Sequence, residues 1–262
     1  MTYNTNLPFL PERTLKPRNN GLTMVMDKGL SLRQSEDLVS SCADLVDFIK
    51  LGFGTSMISK NLKEKIKLFQ SADIKVYLGG TLFEAFIVRN KFDDYVKFVN
   101  ELGIKCVEVS DGSINISHEK KCEYINKLSK NFMVLSEVGS KEEGVIIHPA
   151  RWTKMMKAEL DAGSFKVIAE ARETGNVGIF HKNGSAHTLL INRIVNKIKL
   201  ENILWETPQK SQQVYFLKLF GCNVNLGNIG FDDVIPLETL RLGLRGDTFF
   251  TFLPDSLKER NS

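Results

Sequence analysis

Residues 106–112, which read CVEVSDG, show the pattern that decides the fold of this chain. A short apolar run with β-branched side chains is followed at once by polar residues and a glycine, as in a buried strand that ends in a turn. Similar runs recur along the sequence. The predicted strands are residues 22–26, 48–51, 74–78, 106–109, 133–135, 167–169, 203–205 and 223–226.

Segments with helical spacing of apolar residues lie between most of these runs. In residues 94–102, Tyr95 and Phe98 fall on one side of a helix, and residues 120–128 and 152–160 have similar spacing. Nearly continuous apolar strands that alternate with helices indicate a parallel sheet covered by helices. Eight such units predict a closed α/β barrel, the (β/α)8 TIM barrel, with an open doubly wound sheet as the alternative.

The chain is predicted to form a single catalytic domain, because no Pro-rich or Ser-rich linker divides its 262 residues. Residues 1–20 are predicted to form an irregular amino-terminal arm and residues 21–254 the barrel. Residues 255–262 are predicted to form a frayed carboxyl-terminal tail.

Composition and charge exclude several classes of protein. A hydrophobic fraction of 42% and a charged fraction of 25% are ordinary for a globular protein. The formal net charge of +4 is too small and too evenly spread for a nucleic-acid-binding protein. The densest basic cluster, which includes Lys63, Lys65 and Lys67, has the register of a solvated helix face. No apolar run is long enough to span a membrane.

The four cysteines, at positions 42, 106, 122 and 222, lie far apart and form no CxxC motif. The amino terminus has no apolar stretch typical of a signal peptide. We therefore expect free thiols, several of them buried, in a cytoplasmic protein.

Charged and polar residues follow the predicted strands in phase with them. Because all strand ends of a barrel meet at one mouth, where barrel enzymes keep their active sites, these residues indicate a single site. Glu108, Glu137, Glu170 and Glu206 supply the hard oxygen ligands that suit Mg²⁺. No HxH or HExxH pair favours zinc.

Positive charge reaches the same mouth and indicates an anionic substrate. The residues are Lys28, Lys50, Lys141 and Arg172. Glycine-rich turns at residues 52–55, 79–81 and 226–229 can present backbone N–H groups to oxyanions, or simply allow tight turns. Neither a P-loop nor a dinucleotide-binding fingerprint is present.

Taken together, these motifs resemble the phosphosulfolactate synthase family. The segments that carry the resemblance are residues 27–29, 50–55, 79–84, 108–112, 137–141, 170–173, 223–229, 237–241 and 243–248. No single segment is diagnostic, but their joint order is specific. The resemblance covers about residues 18–248.

The resemblance implies a barrel fold and a homo-oligomer. It also implies a Mg²⁺-dependent addition of sulfite to phosphoenolpyruvate that yields 2-phospho-3-sulfolactate. It leaves open whether coenzyme M biosynthesis, a free sulfolactate pool or a sulfonated lipid consumes the product. The wider family includes plant heat-stress-associated proteins, whose activity need not be the same.

Roles for individual residues follow from the chemistry that the resemblance implies. Glu108, Glu137 and Glu170 are the predicted metal ligands, and Lys141 is the predicted catalytic acid that protonates C2. Lys28, Lys50 and Arg172, with backbone N–H groups near Gly227 and Asn228, are predicted to bind the phosphate or sulfite.

Two other functions remain open at this point. Another Mg²⁺-dependent barrel lyase or aldolase, acting on a phosphorylated enol or keto acid, would use the same metal, lysine and phosphate-binding groups. A non-catalytic member of the family would act through partners as a stress- or chaperone-associated factor. That second alternative predicts lost charge at the strand ends, whereas every cluster is intact in this sequence.

Overall fold

The computed structural model describes residues 4–139, 148–172 and 174–259. Each predicted strand exists in it, with small shifts at the ends of most. The strands are β1 (Thr23–Asp27), β2 (Phe48–Leu51), β3 (Lys75–Leu78), β4 (Cys106–Val109), β5 (Met133–Val138), β6 (Lys166–Ala169), β7 (Ile203–Glu206) and β8 (Leu226–Ile229).

Helices connect the strands and cover the outside of the sheet. In the described residues they are α1 (Leu32–Cys42), α2 (Leu62–Ser71), α3 (Gly80–Ile87), α4 (Phe92–Glu101), α5 (His118–Ser129), α6 (Pro149–Asp161), α7 (Thr188–Val195), α8 (Lys210–Phe220), α9 (Val234–Arg241) and α10 (Asp255–Lys258). The short helix α10 lies within the segment predicted to be a frayed tail.

All paired strands are parallel, and their order in the sheet is β3-β2-β1-β8-β7-β6-β5-β4. The first strand pairs with the last, which an open doubly wound sheet does not require, and β3 lies beside β4. The sheet is therefore a nearly closed barrel, and the predicted single-domain (β/α)8 TIM barrel is confirmed.

Side chains alternate between the inside and the outside of the barrel, as the two-residue period of a strand requires. Outward residues such as Val25, Ile49 and Val107 pack beneath the helices in the larger core cluster. A second, smaller cluster fills the interior. Its fully or nearly buried members include Met24, Phe48, Tyr77, Cys106, Leu135, Ile168 and Leu204.

The inward phase also places the polar strand ends. The side chain two residues after an interior apolar residue also points into the barrel, and there it reaches the carboxyl-terminal mouth. The residues in that position are Lys50, Glu108, Glu137, Glu170 and Glu206, all of them buried. Strand phase therefore explains why these charges converge.

The eighth strand was predicted three residues too early. It was expected at 223–226, because the Gly-Asn pair that follows is typical of a turn. In the structure Gly227 and Asn228 lie inside β8. A Cβ atom on Gly227 would lie 2.8 Å from Cε of Met24 and 3.4 Å from Cγ of Leu204, so glycine leaves room for the interior packing.

One lysine of the basic cluster is not solvated. Lys65 is buried, its Nζ lies 2.5 Å from Oδ2 of Asp27, and it donates a 2.7 Å hydrogen bond to the carbonyl of Leu30. The prediction of a solvated face was wrong for this residue, because α2 packs its Lys65 side against the end of β1. Lys63 and Lys67 are exposed, as predicted.

All four cysteines are free, with Cys42 and Cys106 buried and Cys122 and Cys222 partly exposed. None of the helices in the described part of the chain combines the length and the apolar character that a membrane span needs.

Candidate active site

The carboxyl-terminal mouth of the barrel holds a cavity of about 280 Å³. Every strand, or the turn that follows it, contributes to its wall. The lining residues are Met26, Lys50, Gly52, Phe53, Gly79, Gly80, Thr81, Glu108, Ser113, Glu137, Glu170, Arg172, Glu206 and Asn228.

A buried ammonium group lies at the base of this cavity. Nζ of Lys50 is 3.0 Å from Glu108, 3.3 Å from Glu206 and 3.5 Å from Glu137. Burial by itself would lower the pKa of Lys50, but Glu108, Glu206 and Glu137 outweigh it and raise the pKa well above its usual value. Lys50 is therefore a permanent cation that holds three carboxylates together.

Three of the carboxylates lie close enough to share one cation. Glu137, Glu170 and Glu206 are all buried, and each offers an oxygen within 4.8 Å of the others. Burial raises the pKa of Glu206. The positive charge of Lys50 lowers this pKa, and the negative charge of Glu137 raises it further. This donor set fits Mg²⁺, because it brings three hard oxygen ligands together in a buried site.

Glu108, the third predicted metal ligand, lines the same cavity and also contacts Lys50 and α3. Its Oε1 accepts a 2.6 Å hydrogen bond from the backbone N–H of Gly80, at the amino terminus of α3, and its Oε2 lies 3.0 Å from Lys50. The structure thus brings Glu137 and Glu170 together with Glu206, and it places Glu108 between Lys50 and α3.

Arg172 and Asn228 line the cavity and have strained backbones. Their φ angles are 57° and 56°, in the left-handed region that residues other than glycine seldom adopt, and Phe53 at the same mouth has φ 53°. Such strain tends to cluster at functional sites. Oδ1 of Asn228 is buried and has no hydrogen-bond partner in the part of the chain that the structure describes.

Two of the predicted substrate-binding residues are not in the cavity wall. Lys28 is exposed, and its Nζ lies 5.9 Å from the ring centre of Phe53, so it belongs to the outer rim. Gly227 faces the apolar interior of the barrel. The predicted acid, Lys141, lies outside the described residues.

The turn after β8 does not favour an anion. A Cβ atom on Gly230 would lie 2.9 Å from Oδ1 of Asp232 and 3.0 Å from Oδ2 of Asp233, so two carboxylates lie close to this turn. Negative charge there opposes the binding of phosphate. Arg172 and the glycine-rich turns of β2 and β3 line the other parts of the wall.

Sequence reasoning left out two residues that shape the site. Glu206 was noted at a strand end but was not chosen as a ligand, although it has the same inward phase as Glu137 and Glu170. Glu84 is buried and accepts hydrogen bonds from Ser110 Oγ, from Gly112 N at 3.1 Å and from Ser113 N at 3.0 Å. It anchors the turn after β4, and no local signal in the sequence reveals that contact.

Comparison with solved structures supports the fold. The chain matches an aldolase from Escherichia coli with a TM-score of 0.55 and 8% identity, covering 82% of this chain and 76% of the aldolase. It also matches 3-hexulose-6-phosphate synthase from Salmonella typhimurium with a TM-score of 0.53 and 15% identity, covering 86% and 100% of the two chains. At such identities the likeness concerns the fold alone.

Comparison with protein families and curated relatives is more specific. Residues 11–247 match the family model described as (2R)-phospho-3-sulfolactate synthase. The phosphosulfolactate synthase of Methanocaldococcus jannaschii is 44% identical over 87% of this chain and 94% of its own length. That of Methanothermobacter thermautotrophicus is 42% identical over 91% and 95%. Protein HEAT-STRESS-ASSOCIATED 32 of Arabidopsis thaliana is 22% identical over 88% of each chain. The chain belongs to the phosphosulfolactate synthase family.

Proposed function

We propose that this protein catalyses the Mg²⁺-dependent addition of sulfite to C3 of phosphoenolpyruvate, giving 2-phospho-3-sulfolactate. The reaction forms a C–S bond and makes the enzyme a lyase. The observation that carries the proposal is the buried cluster of Glu137, Glu170 and Glu206 beside Lys50, at the mouth of a barrel of this family. A metal ion held by such a cluster would stabilise the negative charge that develops on the substrate.

Mg²⁺ would be held by Glu137, Glu170 and Glu206. When bound, it would stabilise the negative charge that develops on the substrate carboxylate as sulfite attacks. The protein's own contribution is to keep these carboxylates ionised and oriented. Lys50 does this for Glu137 and Glu206, and the backbone N–H of Ala171 donates a 2.9 Å hydrogen bond to Glu206.

Lys50 therefore has a different role in this proposal from the substrate binding predicted for it. Its ammonium group is already surrounded by three carboxylates, so it orients metal ligands rather than an anion. Glu108 helps by tying Lys50 to the amino terminus of α3.

Arg172 lines the cavity wall and is our candidate to bind the substrate's phosphate or the sulfite. A guanidinium group suits either anion, because it can donate two parallel hydrogen bonds. The strained backbone of Arg172 is held by its N–H, which donates a 2.7 Å hydrogen bond to Oε1 of Glu170. Asn228 offers a side-chain amide on the same wall. The exposed Lys28 adds positive charge at the rim, where it attracts anions from solution.

Completion of the reaction requires a proton at C2. Lys141 remains our candidate for the general acid, on the basis of its place two residues beyond Gly139 at the end of β5. A lysine near other cations has a lowered pKa, which favours proton transfer near neutrality. The homo-oligomer and the cytoplasmic location also remain proposals, and size-exclusion chromatography with light scattering tests the first.

The test is a direct assay of the purified protein with phosphoenolpyruvate, sulfite and Mg²⁺. We expect phosphoenolpyruvate and sulfite to disappear in equal amounts and a phosphorylated sulfonate to appear, followed by phosphorus NMR and mass spectrometry. Chelation with EDTA should abolish turnover and added Mg²⁺ should restore it.

Three other outcomes would contradict this proposal. Consumption of phosphoenolpyruvate without sulfite would indicate a different lyase or aldolase. Full turnover in EDTA would remove the metal from the reaction. A folded protein that consumes neither substrate would favour a non-catalytic role.

A further inference from the structure

A second group of metal-ligating side chains lies outside the barrel mouth. His118 and Cys122 are on the first turns of α5 and face a groove of about 1380 Å³ between α5 and α6. Glu159, on α6, lies behind them and is fully buried. Nothing in the proposed reaction uses this histidine, this cysteine or this carboxylate.

The spacing of the histidine and the cysteine is that of a metal site. Residues four apart on a helix lie on the same face, one turn apart. Sγ of Cys122 is 4.0 Å from Nδ1 of His118. A tetrahedral Zn²⁺ with its usual bond lengths to sulfur and nitrogen separates those two atoms by about 3.6 Å. The observed separation exceeds that distance by about 0.4 Å.

The buried carboxylate selects the nitrogen that would bind. Nε2 of His118 lies 3.1 Å from Oε1 of Glu159. Because a carboxylate accepts, Nε2 carries the ring proton and donates the hydrogen bond. Nδ1 is thereby left without a proton, so its lone pair is available to a metal. Histidine ligands of metals commonly donate their second ring N–H to a carboxylate in this way.

Glu159 is itself firmly held. Nζ of the fully buried Lys121 lies 2.9 Å from Oε1 of Glu159 and 2.9 Å from Asp111, and it donates a hydrogen bond of 2.5 Å to the carbonyl of Glu137. Oε2 of Glu159 is buried without a hydrogen-bond partner in the described part of the chain. The contact with Lys121 fixes the carboxylate that faces His118.

The same three residues do not form a nucleophilic triad. The two ring nitrogens of His118 lie 3.9 Å and 4.0 Å from Sγ, so neither makes the short, directed contact that a general base needs. Burial raises the pKa of the Cys122 thiol, and the negative charge of Glu159 raises it further. A nucleophilic cysteine needs a lowered pKa instead.

We propose that His118 and Cys122 form a binding site for a thiophilic divalent cation of the Zn²⁺ class, separate from the carboxylate cluster at the barrel mouth. Nδ1 and Sγ are the two protein ligands, and Glu159 orients the imidazole. The other coordination positions face the open groove and take water. Soft thiolate and imidazole ligands discriminate against Mg²⁺, which prefers oxygen, so the two sites bind different metals.

Titration with Co²⁺ tests the site, because a cobalt–thiolate bond has a charge-transfer absorption that carboxylate ligands do not produce. The full-length, reduced protein is titrated in an excess of Mg²⁺, which keeps the carboxylate cluster occupied. We expect one Co²⁺ per chain with the thiolate absorption, and we expect Zn²⁺ to displace it.

Variants of the two proposed ligands show which side chains produce the cobalt–thiolate absorption. Cys122→Ser should abolish the absorption, and His118→Gln should weaken Co²⁺ binding at least about tenfold, as is typical when a metal site loses a tuning or ligating group. Cys222→Ser is the control, since Cys222 is also partly exposed and its thiol donates to the carbonyl of Glu12. The thermal unfolding temperature of each variant checks its fold.

The proposal fails if the wild-type protein shows no thiolate absorption, if Cys122→Ser retains it, or if His118→Gln binds Co²⁺ as tightly as the wild type. None of these outcomes depends on the reaction proposed above, because the readout is spectroscopic and needs no substrate.

Discussion

The two mouths of the barrel both bury charged side chains, but they balance those charges differently. At the amino-terminal mouth, the arm before β1 places Arg18 against Asp47, with contacts of 2.8, 2.9 and 3.2 Å, and Arg13 against Glu238, with contacts of 2.7 and 3.0 Å. Arg13 and Arg18 thus each face a carboxylate, while the buried Arg241 donates to the carbonyls of Leu22 and Val224 and lies 4.0 Å from Glu238. At the carboxyl-terminal mouth, the buried Glu108, Glu137 and Glu206 share the ammonium group of Lys50.

This difference separates structural charge from functional charge. A matched and hydrogen-bonded pair satisfies both partners, so nothing further needs to bind. Buried carboxylates that share one ammonium group lie close together and can hold a common cation. Burial raises the pKa of Glu206, and the charge of Glu137 adds to that effect. We therefore infer that the amino-terminal charges hold the arm and that the carboxyl-terminal charges gather the ligands of the proposed metal.

The largest effect is expected from Glu206→Gln at the carboxyl-terminal mouth. The amide keeps the size of the side chain and an acceptor for the N–H of Ala171, but it removes one negative ligand. If the metal lowers the activation free energy by several kcal/mol, its loss should reduce kcat/KM roughly 1,000-fold or more. Steady-state kinetics with phosphoenolpyruvate and sulfite measure the loss.

The thermal unfolding temperature of Glu206→Gln, measured without metal, is the control and should not fall. A variant that unfolds readily, or one that keeps full activity, would show that the two mouths do not differ as described.

The second effect, on stability, is expected at the opposite mouth. Asp47→Ala leaves the buried Arg18 without its carboxylate and leaves the N–H of Thr23 without its acceptor. Loss of one partner of a buried pair lowers the free energy of unfolding by about 3–5 kcal/mol. Urea denaturation measures this change, and kcat/KM of the folded fraction should stay at the wild-type level. A large loss of activity at unchanged stability would place Asp47 in the catalytic machinery instead.

The smallest effect concerns Lys166, at the amino-terminal end of β6. Burial, opposed in part by Glu201, lowers the pKa of its ammonium group to about 8. Between that pKa and the unfolded value of about 10.4, the native state binds fewer protons than the unfolded state, so stability rises with pH. Lys166→Met has no titrating group at this position, so this rise of stability with pH is absent from the variant.

The unfolding temperature of the wild-type protein should therefore rise relative to that of Lys166→Met between about pH 7 and about pH 10. Differential scanning calorimetry of both proteins across that range measures the trend. Parallel curves would mean that Lys166 keeps an ordinary pKa in the folded protein.

Much of the barrel could be predicted because strand and helix periods are local. The inward phase of β5, for example, follows from Leu135 and predicts that Glu137 faces the mouth. The eighth strand was misplaced because a Gly-Asn pair is typical of a turn, whereas Gly227 lies in the strand and packs close to Met24. Lys65 was misjudged for a related reason, since its partner Asp27 is on another element.

The sequence by itself determined that eight strands alternate with helices and that polar residues stand at the strand ends. It also determined which of those residues point inward, because a side-chain period of two needs no knowledge of distant residues. Only the tertiary structure decided which charges meet. Whether Glu206 or Glu108 joins Glu137 and Glu170 depends on how far neighbouring strands are staggered when the barrel closes. Contacts between distant elements, such as that of His118 with Glu159, depend in the same way on how the helices pack around the closed sheet.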